Sequence, residues 1–147
     1  MSDPLPPPTW HLISQLPVIA WAITGMAESA TEQLGHLRQA EDRPHVLDNQ
    51  TVDRVIASYT QQQSDLWLYA EQLTRWQAVS LTSAQRAEVV ACEERLATLR
   101  TTITTILDLA AYLRLHTIET LLAMSDDELG LAVLLGTVAP PRRRTKP

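Results

Sequence analysis

Between Gly35 and Gly130 the chain has no glycine, and its only proline there is Pro44. Tight turns in β proteins lean on glycine for positive φ and on proline for a fixed φ. A stretch this long without either predicts few turns and therefore long helices. The remaining breakers crowd the two ends. Pro4, Pro6, Pro7, Pro8 and Pro17 lie near the start; Gly130, Gly136, Pro140, Pro141 and Pro147 lie near the end.

That distribution divides the chain into three parts. Residues 1–8 form a proline-rich, extended N-terminus. Residues 9–138 form a single helical-bundle domain, and residues 139–147 a basic flexible tail. No internal repeat is visible. At 147 residues and 45% apolar, the chain is long and apolar enough for one soluble core. The same apolar fraction argues against disorder.

Cys92 is the only cysteine, which excludes a disulfide framework and fits a reducing compartment. The acidic, proline-rich start lacks the basic region of a signal peptide. The longest apolar stretch, from Leu16 to Ala27, is broken by Pro17, Thr24 and Gly25 and is too short for a bilayer. A cytoplasmic protein without membrane contact is expected.

Three long helices follow from the periodicity. The first spans about 17–41, with Pro17 in the first turn, where its missing N–H costs nothing. Ile19, Ile23, Met26, Ala30, Leu34 and Leu37 recur every three or four residues along it. The second spans about 49–78, with Asp48 as N-cap and Leu47 and Val52 as a hydrophobic staple. Its seam is Val52, Val55, Tyr59, Gln62, Leu66, Tyr69, Leu73 and Trp76. The third spans about 83–115, opened by a capping box of Thr82 and Gln85. Its seam is Val89, Cys92, Leu96, Leu99, Ile103, Ile106, Ala110 and Leu113.

Both seams alternate three and four, the heptad pattern of a coiled coil. Joined by a short polar turn, helices 2 and 3 are expected to form an antiparallel hairpin about 45 Å long. A short C-terminal helical pair, about 118–124 and 126–135, should follow, the second opened by Ser125 and Glu128. The expected fold is thus all-α, an up-and-down bundle of three long helices with this pair appended.

Apolar residues off the seams need a second neighbour. At the end of helix 3 the C-terminal pair is the simplest cover. The start of helix 1, from Val18 to Ile23, is apolar nearly all round and lies at the opposite end. Its cover is either the segment from Trp10 to Leu16 or a second copy of the chain. An uncovered apolar patch of this kind marks an interface, so a homodimer is expected. Trp21, Ile23, Trp67, Leu68 and Trp76 are its candidate interface residues, with Trp67 the strongest anchor.

The signals for chemistry are weak. His11, His36, His45 and His116 are scattered without ligand spacing, and the paired Glu-x-x-His motifs of a di-iron bundle are missing. No glycine-rich loop or nucleophile elbow is present. Cys92 on a seam is a buried thiol rather than a nucleophile. The one enzymatic alternative is a metal-dependent all-α hydrolase, similar to nucleotide pyrophosphohydrolases, with Glu28, Glu32, Glu93 and Glu94 as metal-holding carboxylates. Four-spaced acids such as Glu28 and Glu32 are commonplace on solvated helix faces.

Charge is unevenly placed. The net charge of -5 hides a basic tail of Arg142, Arg143, Arg144 and Lys146. Without it, 8 positive charges face 17 negative ones, about −9. A body this acidic argues against nucleic-acid binding, and a tail this short gives only weak, salt-sensitive contact. The favoured expectation is a non-enzymatic helical interaction protein, an adaptor or an assembly or secretion-type chaperone. It would need no cofactor and would bind a protein partner through apolar helix faces.

Overall fold

The computed structural model describes residues 8–123. They form a bundle of α1 (Leu16–Ala40), α2 (Asn49–Gln77) and α3 (Ser83–Arg114), followed by the short α4 (Ile118–Ala123). Single 3-10 turns at Ile13–Gln15 and Pro44–Val46 precede α1 and α2. No strand occurs among the described residues. The expected bundle of three long helices is therefore the fold. The second C-terminal helix, at 126–135, lies outside the described residues.

The helix ends follow from local chemistry. Pro17 occupies the first turn of α1, where no donor is lost. Asp48 caps α2 by accepting from the Thr51 N–H at 2.6 Å. Thr82 and Gln85 form a reciprocal capping box on α3, with bonds of 3.1 and 3.0 Å. The threonine-rich stretch of α3 is poor in helix propensity. Its hydroxyls bond back one turn, Thr101 to Ala97, Thr102 to Thr98, Thr104 to Arg100 and Thr105 to Thr101. Those bonds satisfy the hydroxyls without breaking the helix, and the seam residues on either side of them are buried.

Helix α3 is the centre of the bundle. It packs against both α1 and α2, while α1 and α2 make few close backbone approaches to each other. All eight residues of its seam are buried. Ile23 and Leu34 of α1 and Val52, Leu66 and Leu73 of α2 complete the same cluster. Each fully buried aliphatic side chain of this kind contributes about 1.5–3 kcal/mol.

Helix α2 departs from its expected seam. Val52, Leu66, Leu73 and Trp76 are buried, but Val55, Tyr59, Gln62 and Tyr69 are only half-buried. Gln72, one turn before Trp76 and off the seam, is buried instead. The cause is the N-terminal segment, residues 8–15, which covers the flank of α2 at its C-terminal end.

A polar clasp closes the other end of the bundle. Arg114 at the end of α3 pairs with Asp53 of α2 at 2.8 Å and donates to Thr120 of α4 at 3.2 Å. The buried Thr117 hydroxyl donates to Asn49 at the start of α2. The Asn49 N–H donates in turn to Glu119 at 3.0 Å. This clasp seats α4 chiefly on α2 and the Pro44–Val46 turn. The described part of the C-terminal region thus leaves Tyr112 and Leu115, at the end of α3, exposed. His116 is buried there, its Nδ1 2.8 Å from the Tyr112 carbonyl and its ring centroid 4.5 Å from that of Tyr112.

Candidate partner-binding groove

The start of α1 lies beside the end of α2, as an up-down-up order requires. The segment ahead of α1 is tied across that end by one residue's backbone. Gln72 accepts from the His11 N–H at 2.6 Å, and its amide nitrogen donates to the His11 carbonyl at 3.3 Å. The Trp76 indole N–H donates to the same carbonyl at 2.9 Å. A buried amide side chain that brackets a backbone unit satisfies its own donor and acceptor together. Trp10 adds a second tie. Its ring lies 4.3 Å from the Arg75 guanidinium, which also pairs with Glu71 at 3.3 Å.

Beside this strap runs a groove of about 560 Å³. Trp10 and His11 border it from the strap, Ile19 from α1, and Asp65, Leu68, Tyr69 and Gln72 from α2. The four α2 residues fall at helical spacings of three and four, so one face presents them all. Trp67 also borders the groove and is 53% exposed. Among the described residues Asp65 is the only Asp, Glu, Lys or Arg in the lining. Its carboxylate accepts from the Gln61 amide at 3.2 Å and has no ion-pair partner among the described residues.

The five residues expected at an interface go to different places. Trp67 and Leu68 line the groove. Trp21 is 78% exposed on α1, one turn from Val18, which is 56% exposed. Neither of these two borders the groove. Ile23 and Trp76 are buried in the chain's own core, so they present no surface to a partner. The strap therefore covers Trp76 but leaves the outer side of α1 open.

The carboxylates considered for a metal do not assemble. Glu28, Glu32, Glu93 and Glu94 are all exposed. Glu93 accepts a bond from Gln77. Glu32 acts on Tyr59, whose phenol is pushed above its ordinary pKa by burial first and by this nearby charge second. Among the described residues no three of His, Cys, Asp and Glu come together as a metal-holding group. Cys92 is buried, and its thiol is raised above the usual range by desolvation and then by Glu88, 4.0 Å away, and Glu93, with Arg95 opposing. A thiol held protonated is a poor nucleophile. Arg142, Arg143, Arg144 and Lys146 lie outside the described residues.

Sequence reasoning offered the segment from Trp10 to Leu16 as one candidate cover but did not single out Trp10 within it, and it missed Asp65 and Gln72. Trp10 is an aromatic placed just ahead of the first helix, and Gln72 precedes Trp76 by one turn. Neither lies on a seam, so periodicity gave no reason to single them out. Among the described residues no helix is long and apolar enough to cross a membrane. Comparison with known proteins finds no matching family model, no similar curated protein and no similar solved structure.

Proposed function

We propose that the protein is a non-enzymatic interaction module that binds a protein partner in the groove between its N-terminal strap and α2. The observation that carries this reading is an aromatic, half-open groove bordered by Trp10, Trp67, Leu68 and Tyr69, with Trp67 left largely in water. Tryptophan and tyrosine supply large contact area at small entropic cost, and exposed clusters of them mark binding surfaces. Among the described residues the groove's lining holds one carboxylate and no nucleophile-base pair, which suits binding better than catalysis. An adaptor or an assembly or secretion-type chaperone has this character, and the proposed compartment is the cytoplasm.

The chain is also proposed to act as a homodimer, through the outer side of α1 that carries Val18 and Trp21. The two side chains are one turn apart and exposed, and nothing in the described chain covers them. A second copy would bury them in an isologous contact.

Affinity selection from a displayed random-peptide library tests the groove. Apolar peptides should be enriched on the wild-type chain and lost on the double variant Trp67→Ala/Leu68→Ala, with the helical circular dichroism unchanged. Equal enrichment on both chains, or none on either, would discard the groove as a binding site. Light scattering tests the dimer separately. The wild type should weigh twice the 16.4 kDa of one chain, and Trp21→Glu should halve the mass. A monomeric wild type at tens of micromolar would discard the dimer.

A further inference from the structure

We infer that the groove's partner is a basic amphipathic segment of another protein, with one Lys or Arg docking on Asp65 and another on the Trp67 ring while its apolar side chains fill the rest. This rests on the groove being a partner site and adds the chemistry of what it takes.

Charge complementarity carries the inference. The two helices that flank the groove are stripped of cations over most of their length. Residues 16–37 of α1 contain Glu28 and Glu32 and no Lys or Arg. Residues 55–74 of α2 contain Asp65 and Glu71 and again no Lys or Arg. Glu71 is paired with Arg75. Asp65 is left with a neutral amide for company, at the mouth of an apolar groove. A carboxylate beside apolar walls gains most from a cation that also removes water from those walls.

The two indoles at the groove make the same point by contrast. Trp10 already carries a cation, the Arg75 guanidinium, on its face. Trp67 borders the same groove, is more than half exposed and has no cation over its ring among the described residues. Indole faces attract ammonium and guanidinium groups, more strongly when water is excluded. Asp65 and Trp67 border one groove but, two residues apart on α2, point to different sides of the helix, so a segment lying in the groove would answer them with two separate cations. A polypeptide occupant fits because the neighbouring stretch of this surface already holds one. Gln72 and Trp76 read the backbone of His11 there, and the groove continues from that strap.

The test uses two fluorescein-labelled peptides about five helical turns long, one of Leu and Lys and the other with Glu at every Lys position. Anisotropy with the full chain should show the Lys peptide binding at least about tenfold tighter than the Glu peptide, and more weakly in high salt. Asp65→Asn should weaken the Lys peptide by roughly threefold or more. Glu94→Gln on α3 removes the same charge from a remote exposed site and should have a smaller effect. The Trp67 indole N–H signal should shift in NMR as the Lys peptide is added.

Equal losses for Asp65→Asn and Glu94→Gln would overturn the inference, since the net charge alone would then explain the attraction. So would a Trp67 signal that does not move. Equal binding of the two peptides would overturn the cation requirement while leaving the groove a binding site for apolar segments. Replacing Arg142, Arg143, Arg144 and Lys146 together by Gln is the last arm. If that change tightens the Lys peptide, the chain's own cations compete for the site and the separate partner is overturned.

Discussion

Helices α2 and α3 carry apolar stripes of the same period, and the two are buried to different depths. Along α3, from Val89 to Leu113, every stripe residue is shielded from water. Along α2 the ends of the stripe are shielded and the middle, from Val55 to Gln62, is half open. The stripes differ little in composition, so the cause lies in their neighbours. Helix α3 is flanked by α1 on one side and α2 on the other, whereas α2 packs closely on α3 and makes few close backbone approaches to α1. Near its C-terminal end α2 gains the strap, and there burial returns at Gln72, Leu73 and Trp76. A heptad stripe names the residues able to be buried; the number of flanking elements decides how far they are.

Truncation is the strongest way to break that comparison. Ile103→Ala at the middle of the α3 stripe should destabilise the chain by about 3–4 kcal/mol, because a rigid neighbour on each side keeps the cavity open. Val55→Ala on the half-open part of α2 should cost only about 1 kcal/mol. Urea denaturation measures both. Similar losses would mean that the two stripes are equally buried in solution, and the contrast would fail.

The strap explains why burial returns along α2, and it can be loosened alone. Trp76→Phe keeps a large ring in the core and removes the indole N–H that reaches the His11 carbonyl. A loss of about 1 kcal/mol is expected. The His11 amide should also exchange with solvent faster, because its Gln72 partner stays but the strap is held by one bond fewer. An unchanged exchange rate would show that Gln72 and the Trp10–Arg75 contact hold the strap without help.

The middle of α2 has a different weakness, which predicts a gain. The Gln62 Oε1 atom is buried and has no hydrogen-bond partner among the described residues. A stranded acceptor of this kind costs about 1–3 kcal/mol. Gln62→Leu continues the stripe with an apolar residue and should stabilise the chain by about 1 kcal/mol. A loss of stability would mean that the amide finds water there, and the middle of α2 would be more open than its burial suggests.

The bundle itself was legible because helix formation here is governed by local rules. The glycine-free interior, the caps at Asp48 and Thr82, and the α3 stripe each depend on residues within a few positions of one another, and each is found where expected. The groove depends on contacts between distant parts of the chain. His11 meets Gln72 and Trp76 across more than sixty residues of sequence, |i−j| of 61 and 65. No local pattern encodes such a meeting; the apolar excess at the start of α1 called for a cover and offered the segment from Trp10 to Leu16 as one candidate, without fixing what it would touch. Ile23 and Trp76 were apolar enough to suggest an interface, and the core claimed them first. That division follows from physics: period and capping are written in neighbouring residues, while the covering of a flank is decided by the path of the whole chain.

The smallest expected effect concerns the start of α2, where burial is complete at Val52 although α2 has just begun. Asp48 holds that first turn by accepting from the Thr51 N–H, first through the backbone bond and with a further contribution from the Thr51 side chain, and these bonds keep its carboxyl below the ordinary Asp value. A carboxylate whose pKa is lowered by folding contributes stability that is present above the unfolded value, near 3.8, and is lost as the pH falls through the lower folded value. Asp48→Ala should therefore lower the melting temperature slightly at neutral pH, and the gap between variant and wild type should close in acid below that window. Asp48→Asn should retain part of the cap at every pH, since an amide oxygen still accepts the bond. A gap that stays constant down to strongly acidic pH would mean that the Asp48 carboxylate does not hold the first turn. The deep burial of Val52 would then have to come from the α4 clasp at Asn49 and Asp53 alone, with the cap contributing nothing to the closed end of the α2 stripe.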